Sequence, residues 1–323
     1  MSGYDVIGDI HGCADDLEAL LAQMGYTVDD GVYRHPERTA VFVGDLIDRG
    51  PDQLRVLQIV KAMADAGSAR MVLGNHEFNA LAYATEWPAG SGKYLRPHDD
   101  PDHPWSAKNE KQHAEFLRQV TGEARAEYLA WFRTQPLWLD LGGIRVVHAC
   151  WHAESMAVLG DDRIGTDEQL VRMSTKGDPM YVAVETLLKG PEISLVDHGQ
   201  PPYLDKDGHS REQARLRWWN GAATTLADLA EISSTFTTED KKPYPALPAV
   251  EVERSHVYGD PVPVFYGHYW RQGSPRHLHD WTEYSACVDF SAVKGGSLTA
   301  YRWSGEQRIA VENYVQVGAR SAH

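Results

Sequence analysis

The chain has 323 residues, 42% of them hydrophobic and 24% charged, and its 31 Lys and Arg against 46 Asp and Glu give a formal net charge of −15. That length buries a real core as one large domain or two modest ones, and the composition excludes disordered, collagen-like and disulfide-stapled chains. The acidic excess leaves no basic face for duplex nucleic acid; an anionic small molecule stays open, because a bound cation can reverse the sign of one pocket.

Short apolar runs alternate with amphipathic segments through the first half, the pattern of strands feeding helices. Tyr4 to Gly8 reads as a buried strand, followed by a helix with Leu17, Leu20, Leu21 and Met24 on one face and Gly25 at its end. Thr39 to Gly44 is a second strand, Pro51 opens a helix striped by Leu54, Leu57, Val60 and Met63, and Arg70 to Gly74 is a third strand. Residues 86–106, rich in Pro, Gly, His and Asp, read as a long loop before helical segments at about 109–121 and 123–134. Leu137 to Leu141, Gly142-Gly143 and Ile144 to His148 read as a β-hairpin. The pattern weakens over 154–255, where helical segments are expected around 167–188 and 211–232, and this stretch reads as a cap or insertion within a single 1–323 catalytic domain. Strands return at Val262 to Tyr266, Tyr284 to Phe290 and Ser297 to Trp303, with alternation running on to Val317. Cys13, Cys150 and Cys287 are too scattered for a disulfide framework or a zinc ribbon and suit a reduced, cytoplasmic protein. No basic and apolar leader opens the chain, and no run approaches the ~18 apolar residues of a membrane span.

Polar residues appear abruptly where the expected strands end: Asp9 and His11, Asp45 with Asp48-Arg49, Asn75-His76, His148, and His268 after Gly267. In open α/β sheets that edge binds ligands. Asp, His and Asn supply the oxygen and nitrogen donors that suit first-row divalent ions. A lone strand-end histidine is usually structural, but five such ends beside glycine or small residues are hard to explain by packing.

Gly8-Asp9-Ile10-His11-Gly12, Gly44-Asp45-Leu46-Ile47-Asp48-Arg49-Gly50 and Gly74-Asn75-His76-Glu77 resemble the three N-terminal signatures of the phosphoprotein-phosphatase-type, calcineurin-like metallophosphoesterases. His148 and His268 resemble that family's two later metal histidines. The resemblance is close over roughly residues 4 to 150 and looser over 262 to 305. It implies a central mixed β-sandwich flanked by helices, and two divalent ions, expected to be Mn²⁺ with Fe, Zn or mixed occupancy open. Asp9, His11 and Asp45 would bind one ion, and Asp45, Asn75, His148 and His268 the other. Two such ions, less two carboxylates and a bridging hydroxide, leave about one positive charge facing the substrate. The hydroxide would attack phosphorus in line, His76 would protonate the leaving oxygen, Asp48 would orient His76, and Arg49 would clamp the phosphoryl group, with Asn75 also expected to bind substrate.

The alternative for Asp48-Arg49 is a local ion pair capping the next helix. Glu77 is expected to accept from a neighbouring arginine. Arg217 stands where related enzymes often supply a second phosphate-binding arginine; its alternative is a surface arginine beside the Trp218-Trp219 pair. Cys13 reads as packing, His152 as supporting or solvated, and the histidines of 98–113 and 277–279 as solvated. Leu73, where eukaryotic-type protein phosphatases usually carry arginine, and Gly12-Cys13 resemble a bacterial branch near the diadenosine tetraphosphatase-like and polynucleotide phosphatase enzymes, whereas Asp48 and Glu77 match the protein-phosphatase pattern. The expected reaction is phosphomonoester hydrolysis, on a phosphorylated small molecule, nucleotide or phosphoprotein. Dinucleoside polyphosphate hydrolysis is the alternative, and a non-catalytic metal-binding scaffold is a remoter one. No phosphate-binding kinase loop accompanies these motifs, which argues against a repair enzyme.

Overall fold

The computed structural model describes residues 3–205, 208–233 and 235–318. It divides into two compact units, Met1–Lys189 with Pro261–His323, and Gly190–Asp260. The segment expected as an insertion, 154–255, therefore spans parts of both.

In the first unit the chain runs β1 (Gly3–Ile7), α1 (Ala14–Gln23), β2 (Thr27–Asp29), β3 (Val32–Arg34), β4 (Arg38–Phe42), α2 (Gln53–Asp65), β5 (Ala69–Met71) and α3 (Asn75–Ala84). It continues through α4 (Ser106–Gln119), α5 (Gly122–Arg133), β6 (Trp138–Asp140), β7 (Arg145–Val147), α6 (Ala153–Leu159), α7 (Asp167–Ser174) and α8 (Pro179–Lys189). The second unit holds β8 (Glu192–Ser194), β9 (Tyr203–Leu204), β10 (Ser210–Arg211), β11 (Gln213–Leu216), α9 (Leu226–Leu229) and β12 (Ala230–Glu231). The first unit then resumes with β13 (Val264–Tyr266), β14 (Ser285–Cys287), β15 (Asp289–Phe290), β16 (Ser297–Trp303) and β17 (Tyr314–Val317).

Two mixed sheets form the centre of the first unit. One has the order β15-β16-β1-β4-β5 with β17 also on β16, and the other β14-β13-β7-β6. β1, β4 and β5 run parallel, Tyr4 opposite Thr39 and Ala40 opposite Ala69, while β16 returns antiparallel with Tyr4 opposite Trp303. In the second sheet β13 is parallel to β7 and β14. Val6, Val41, Val43, Val72 and Tyr301 from the first sheet meet Val146, Phe265 and Ala286 from the second in one buried cluster. Each valine and phenylalanine among them withdrawn from water contributes about 1.5–3 kcal/mol, which helps to hold the sheets face to face. Helix α1 packs on β16 and β17 and α2 on β5, so the expected mixed β-sandwich flanked by helices is the observed fold. Buried Asp5 locks the order of the first sheet, accepting from Arg38 Nε at 2.7 Å and Arg302 Nε at 3.0 Å from the strands on either side of β1.

The second unit differs from the expectation of helix over 211–232. Alternation in Gln213-Ala214-Arg215-Leu216 buries Ala214 and Leu216 and makes β11 the centre of a small sheet, β12-β11-β8, with helix confined to the single turn of α9. Leu195, Tyr203, Ala214, Leu226 and Ala230 form its core. No described helix is long and apolar enough to cross a membrane.

Candidate metal centre

Five strands, three of the first sheet and two of the second, deliver their carboxyl ends to one place. Asp9 and His11 follow β1, Asp45, Asp48 and Arg49 follow β4, Asn75 and His76 begin α3 after β5, His148 follows β7, and His268 follows β13. All but Arg49 and His268 are buried. The glycines explain how these ends approach so closely: a Cβ on Gly74 would lie 2.2 Å from Asp45 Oδ1, and one on Gly267 2.0 Å from Asp9 Oδ1. His11, Asp45, Asp48, Arg49 and His268 all have positive φ, between 46° and 70°. Such backbone costs of order 1–3 kcal/mol per residue and persists where surrounding contacts enforce it, typically at functional sites.

Asp45 is the hub. The ligand atoms of His11, Asp45 and His76 lie within 4.8 Å of one another, as do those of Asp45, His148 and His268, so either trio could hold an ion and the two share one carboxylate. Asn75 Oδ1 stands 3.0 Å from His148 Nε2 and 2.8 Å from His268 Nδ1, inside the second trio. The tautomers suit metal binding. His11 Nδ1 is 2.7 Å from the Ile47 carbonyl and His148 Nδ1 2.7 Å from that of Val43, so each donates there and leaves the Nε2 lone pair facing Asp45. Asp9 accepts from the His268 backbone N–H at 3.1 Å and faces the Asp45 and Asp289 carboxylates. Burial first, then those two charges, drive its carboxyl well above the ordinary range. Clustered buried carboxylates beside lone-pair histidines call for cations, so the donor set fits a pair of divalent ions.

A second arrangement adjoins the first. His76 Nδ1 lies 2.5 Å from Asp48 Oδ2, and its Nε2 3.9 Å from Asp45 Oδ2. Burial disfavours the imidazolium, but Asp45 and Asp48 outweigh it and raise the His76 pKa above 6.5. Asp48, although buried, is held down at about 2 by hydrogen bonds from His113 and His76. Arg49 is exposed, with its Nη1 3.4 Å from His11 Nε2.

Three residues differ from what the sequence suggested. His113, expected in solvent, is fully buried on α4 with Nδ1 2.9 Å from Asp48 Oδ2. The signal was there: His113 falls three residues before Phe116 on the apolar face of a helix. Glu77 accepts not from an arginine but from the N–H groups of Asp45, Leu46, Ile47 and Gly74, at 2.8–3.3 Å, and so fastens the β4 loop to α3. Glu77→Ala, which strands those donors, is expected to lower the unfolding free energy by about 2–4 kcal/mol, and Glu77→Gln by less. Urea denaturation measures this, and a loss below about 0.5 kcal/mol would mean that water replaces the carboxylate. Trp270, not singled out, stacks on His11 with centroids 5.6 Å apart.

Among the remaining candidates, His152 caps α6, its Nδ1 accepting from Ser155 N–H at 3.3 Å. Cys13 is buried, its thiol pushed up to about 12 by burial and Asp16. Arg217 belongs to the second unit, between β11 and the buried Trp218-Trp219 pair, and is not among the residues that the first unit gathers.

Residues 4–230 match the family model described as calcineurin-like phosphoesterase. Among curated proteins, the chain is 49% identical over 74 residues to the asymmetrical bis(5'-nucleosyl)-tetraphosphatase PrpE of Bacillus subtilis, covering 23% of this chain and 30% of that one. It is 45% identical over 83 residues to the symmetrical bis(5'-nucleosyl)-tetraphosphatase of Pectobacterium carotovorum, covering 25% and 26%. The chain thus spans less than a third of the length of these relatives. A protein serine/threonine phosphatase from Saccharomyces cerevisiae aligns over 99% of this chain and 81% of its own at 14% identity and a TM-score of 0.49.

Proposed function

The chain belongs to the calcineurin-like phosphoesterase family, and from that premise we propose that it hydrolyses phosphomonoesters, with His76 protonating the leaving oxygen. The observation that carries this is the buried His76–Asp48 pair at 2.5 Å, with the other imidazole nitrogen turned toward Asp45. An alkoxide leaving group is strongly basic and needs a proton in the transition state, whereas a departing phosphate does not; a built acid therefore favours esters of alcohols over anhydrides.

The family implies a dinuclear divalent site. Asp9, His11 and Asp45 would hold one ion and Asp45, Asn75, His148 and His268 the other, with Mn²⁺ the proposed metal. When bound, such ions stabilise phosphoryl charge and lower the pKa of water toward ~7. The chain's own groups do the rest. The exposed Arg49 guanidinium offers a planar fork to two phosphoryl oxygens. His76 holds one proton at Nδ1 against Asp48 and delivers the other from Nε2. His113 and the Gln53 side chain, which accepts from Asp48 N–H at 2.6 Å, keep the Asp48 carboxylate in place. Hydrolysis of dinucleoside polyphosphates is the second reading, supported by the activity named for the two tetraphosphatase relatives.

The test is turnover of phosphoserine and phosphotyrosine peptides, a nucleoside monophosphate and diadenosine tetraphosphate by Mn²⁺-loaded protein. Monoesters are expected to give the higher kcat/KM, and chelation to abolish it. A tenfold or greater preference for diadenosine tetraphosphate would replace the first reading by the second, and no turnover at all would leave a metal-binding scaffold.

A further inference from the structure

Trp270 touches two groups of this site. The Arg49 Cζ is 4.2 Å from the centroid of its indole, and the ring stacks at 19° to the His11 imidazole with centroids 5.6 Å apart. Arg49 itself is exposed and leaves the chain from left-handed backbone at φ 70°. Among the described residues no carboxylate pairs with it; its contacts are the Trp270 face and the His11 imidazole, Nη1 standing 3.4 Å from Nε2. That nitrogen is also the one whose lone pair faces Asp45 at 3.5 Å, so it is a poor anchor for a guanidinium wherever it serves as a ligand atom. The indole is the anchor that remains.

The kind of anchor matters. An exposed arginine has several rotatable bonds to immobilise before it meets a phosphoryl group in a fixed geometry. A carboxylate partner would fix it, but would occupy its N–H groups and cancel its charge. An aromatic face holds the cation through the ring quadrupole and does neither. The ring in turn is fixed through its backbone. The Trp270 N–H donates to Asp289 Oδ2 at 2.7 Å, the Arg271 N–H donates to the Asp289 carbonyl at 3.0 Å, and the other carboxylate oxygen of buried Asp289 accepts from the Ser291 N–H at 3.0 Å. Trp270 sits at φ +54°, left-handed backbone that is disfavoured for a residue with a side chain and kept where contacts enforce it.

We propose that Trp270 is a positioning residue for Arg49, its indole holding the guanidinium beside His11 with the N–H fork left for a phosphoryl group. This rests on the phosphoesterase reading above and adds to it what readies the clamp before substrate arrives.

Lys294 Nζ also lies 4.0 Å from the ring centroid and has interactions of its own, so the effect of the ring is read against Arg49 by a double-mutant cycle. Trp270→Leu, Trp270→Gln and Trp270→Phe are made with Arg49 present and in Arg49→Ala, loaded with Mn²⁺, and compared for p-nitrophenyl phosphate hydrolysis, inhibition by inorganic phosphate, metal content by mass spectrometry and thermal melt. With Arg49 present, the Leu and Gln variants are expected to lower kcat/KM and raise the inhibition constant for phosphate, each roughly fivefold, and Trp270→Phe, which keeps an aromatic face, to move both by about twofold. In Arg49→Ala the same substitutions change either quantity by less than about twofold, because the group they act through is gone. Metal content stays at the wild-type value. An equal loss in both backgrounds, no loss in either, metal content that falls with the ring, or failure of both ringless variants to fold would assign Trp270 to His11 or to the fold and overturn the positioning role, leaving the phosphoesterase reading standing. Arg49→Ala with wild-type kcat/KM and phosphate inhibition would remove the clamp and the positioning role together, and no turnover of any ester by the wild type would remove the phosphoesterase reading with them.

Discussion

Replacing Asp45 by asparagine is expected to cut kcat/KM by roughly 10³-fold and to lower bound metal from two equivalents, because this carboxylate serves both ligand groups. Its Oδ2 faces His11 Nε2 at 3.5 Å and its Oδ1 faces His148 Nε2 at 3.5 Å. Burial opposes its ionisation, but His148, His76 and His11 outweigh that and hold its carboxyl well below the usual range. Asparagine preserves the shape and the acceptor for the His76 N–H, now 2.9 Å from Oδ1, so the fold should survive while the carboxylate charge that both ligand groups share is lost. The measurement pairs metal content by mass spectrometry with kcat/KM, and a thermal melt verifies folding. Wild-type metal content with activity within tenfold of wild type would sink the shared-ligand role.

The second large effect is His76→Asn, expected to lower kcat by roughly 10²–10⁴-fold on alkyl phosphates. The loss should be much smaller on p-nitrophenyl phosphate, whose leaving group departs without a proton. That contrast separates an acid from a residue that merely shapes the site, which would lower both alike. The acid also has a pH signature. Asp45 and Asp48 raise its pKa above the ordinary imidazole value against the opposing effect of burial, so alkyl phosphatase activity is expected to fall as pH rises through the raised value. His113→Leu should reproduce the leaving-group contrast at about tenfold, because Asp48 loses one of its two imidazole donors while His76 remains. An equal loss on both esters in His76→Asn would assign His76 to the ligand trio with His11 and Asp45 instead.

The clustering of positive φ around these groups gives the site its cost and its rigidity. Arg49 and Asp48 each sit at φ 70° and His268 at 69°, conformations that glycine adopts freely and these residues do not. The Glu77 carboxylate, gripping four backbone N–H groups, holds the β4 loop in that shape.

Strand ends, their polar residues and the glycines beside them were legible from the sequence because each is a local property. A short continuous apolar run predicts a buried strand, and Gly-Asp or Gly-Asn-His at its end marks where the backbone turns sharply beside a donor. Hence Asp9, His11, Asp45, Asn75, His148 and His268 could be named before any geometry existed, together with the sandwich implied by the family motifs. The second unit escaped because its strands are two to four residues long, too short for period two to stand out from period 3.6. His113, Glu77 and Trp270 escaped for a different reason. Their roles depend on what lies across 65, 31 and 259 residues of chain, at Asp48, Leu46 and His11. Residue types alone determined that metal-competent donors end the strands. Only the packing of two sheets, five strand ends and helix α4 decided which imidazole meets which carboxylate, since burial and charge at each group are set by neighbours distant in the chain.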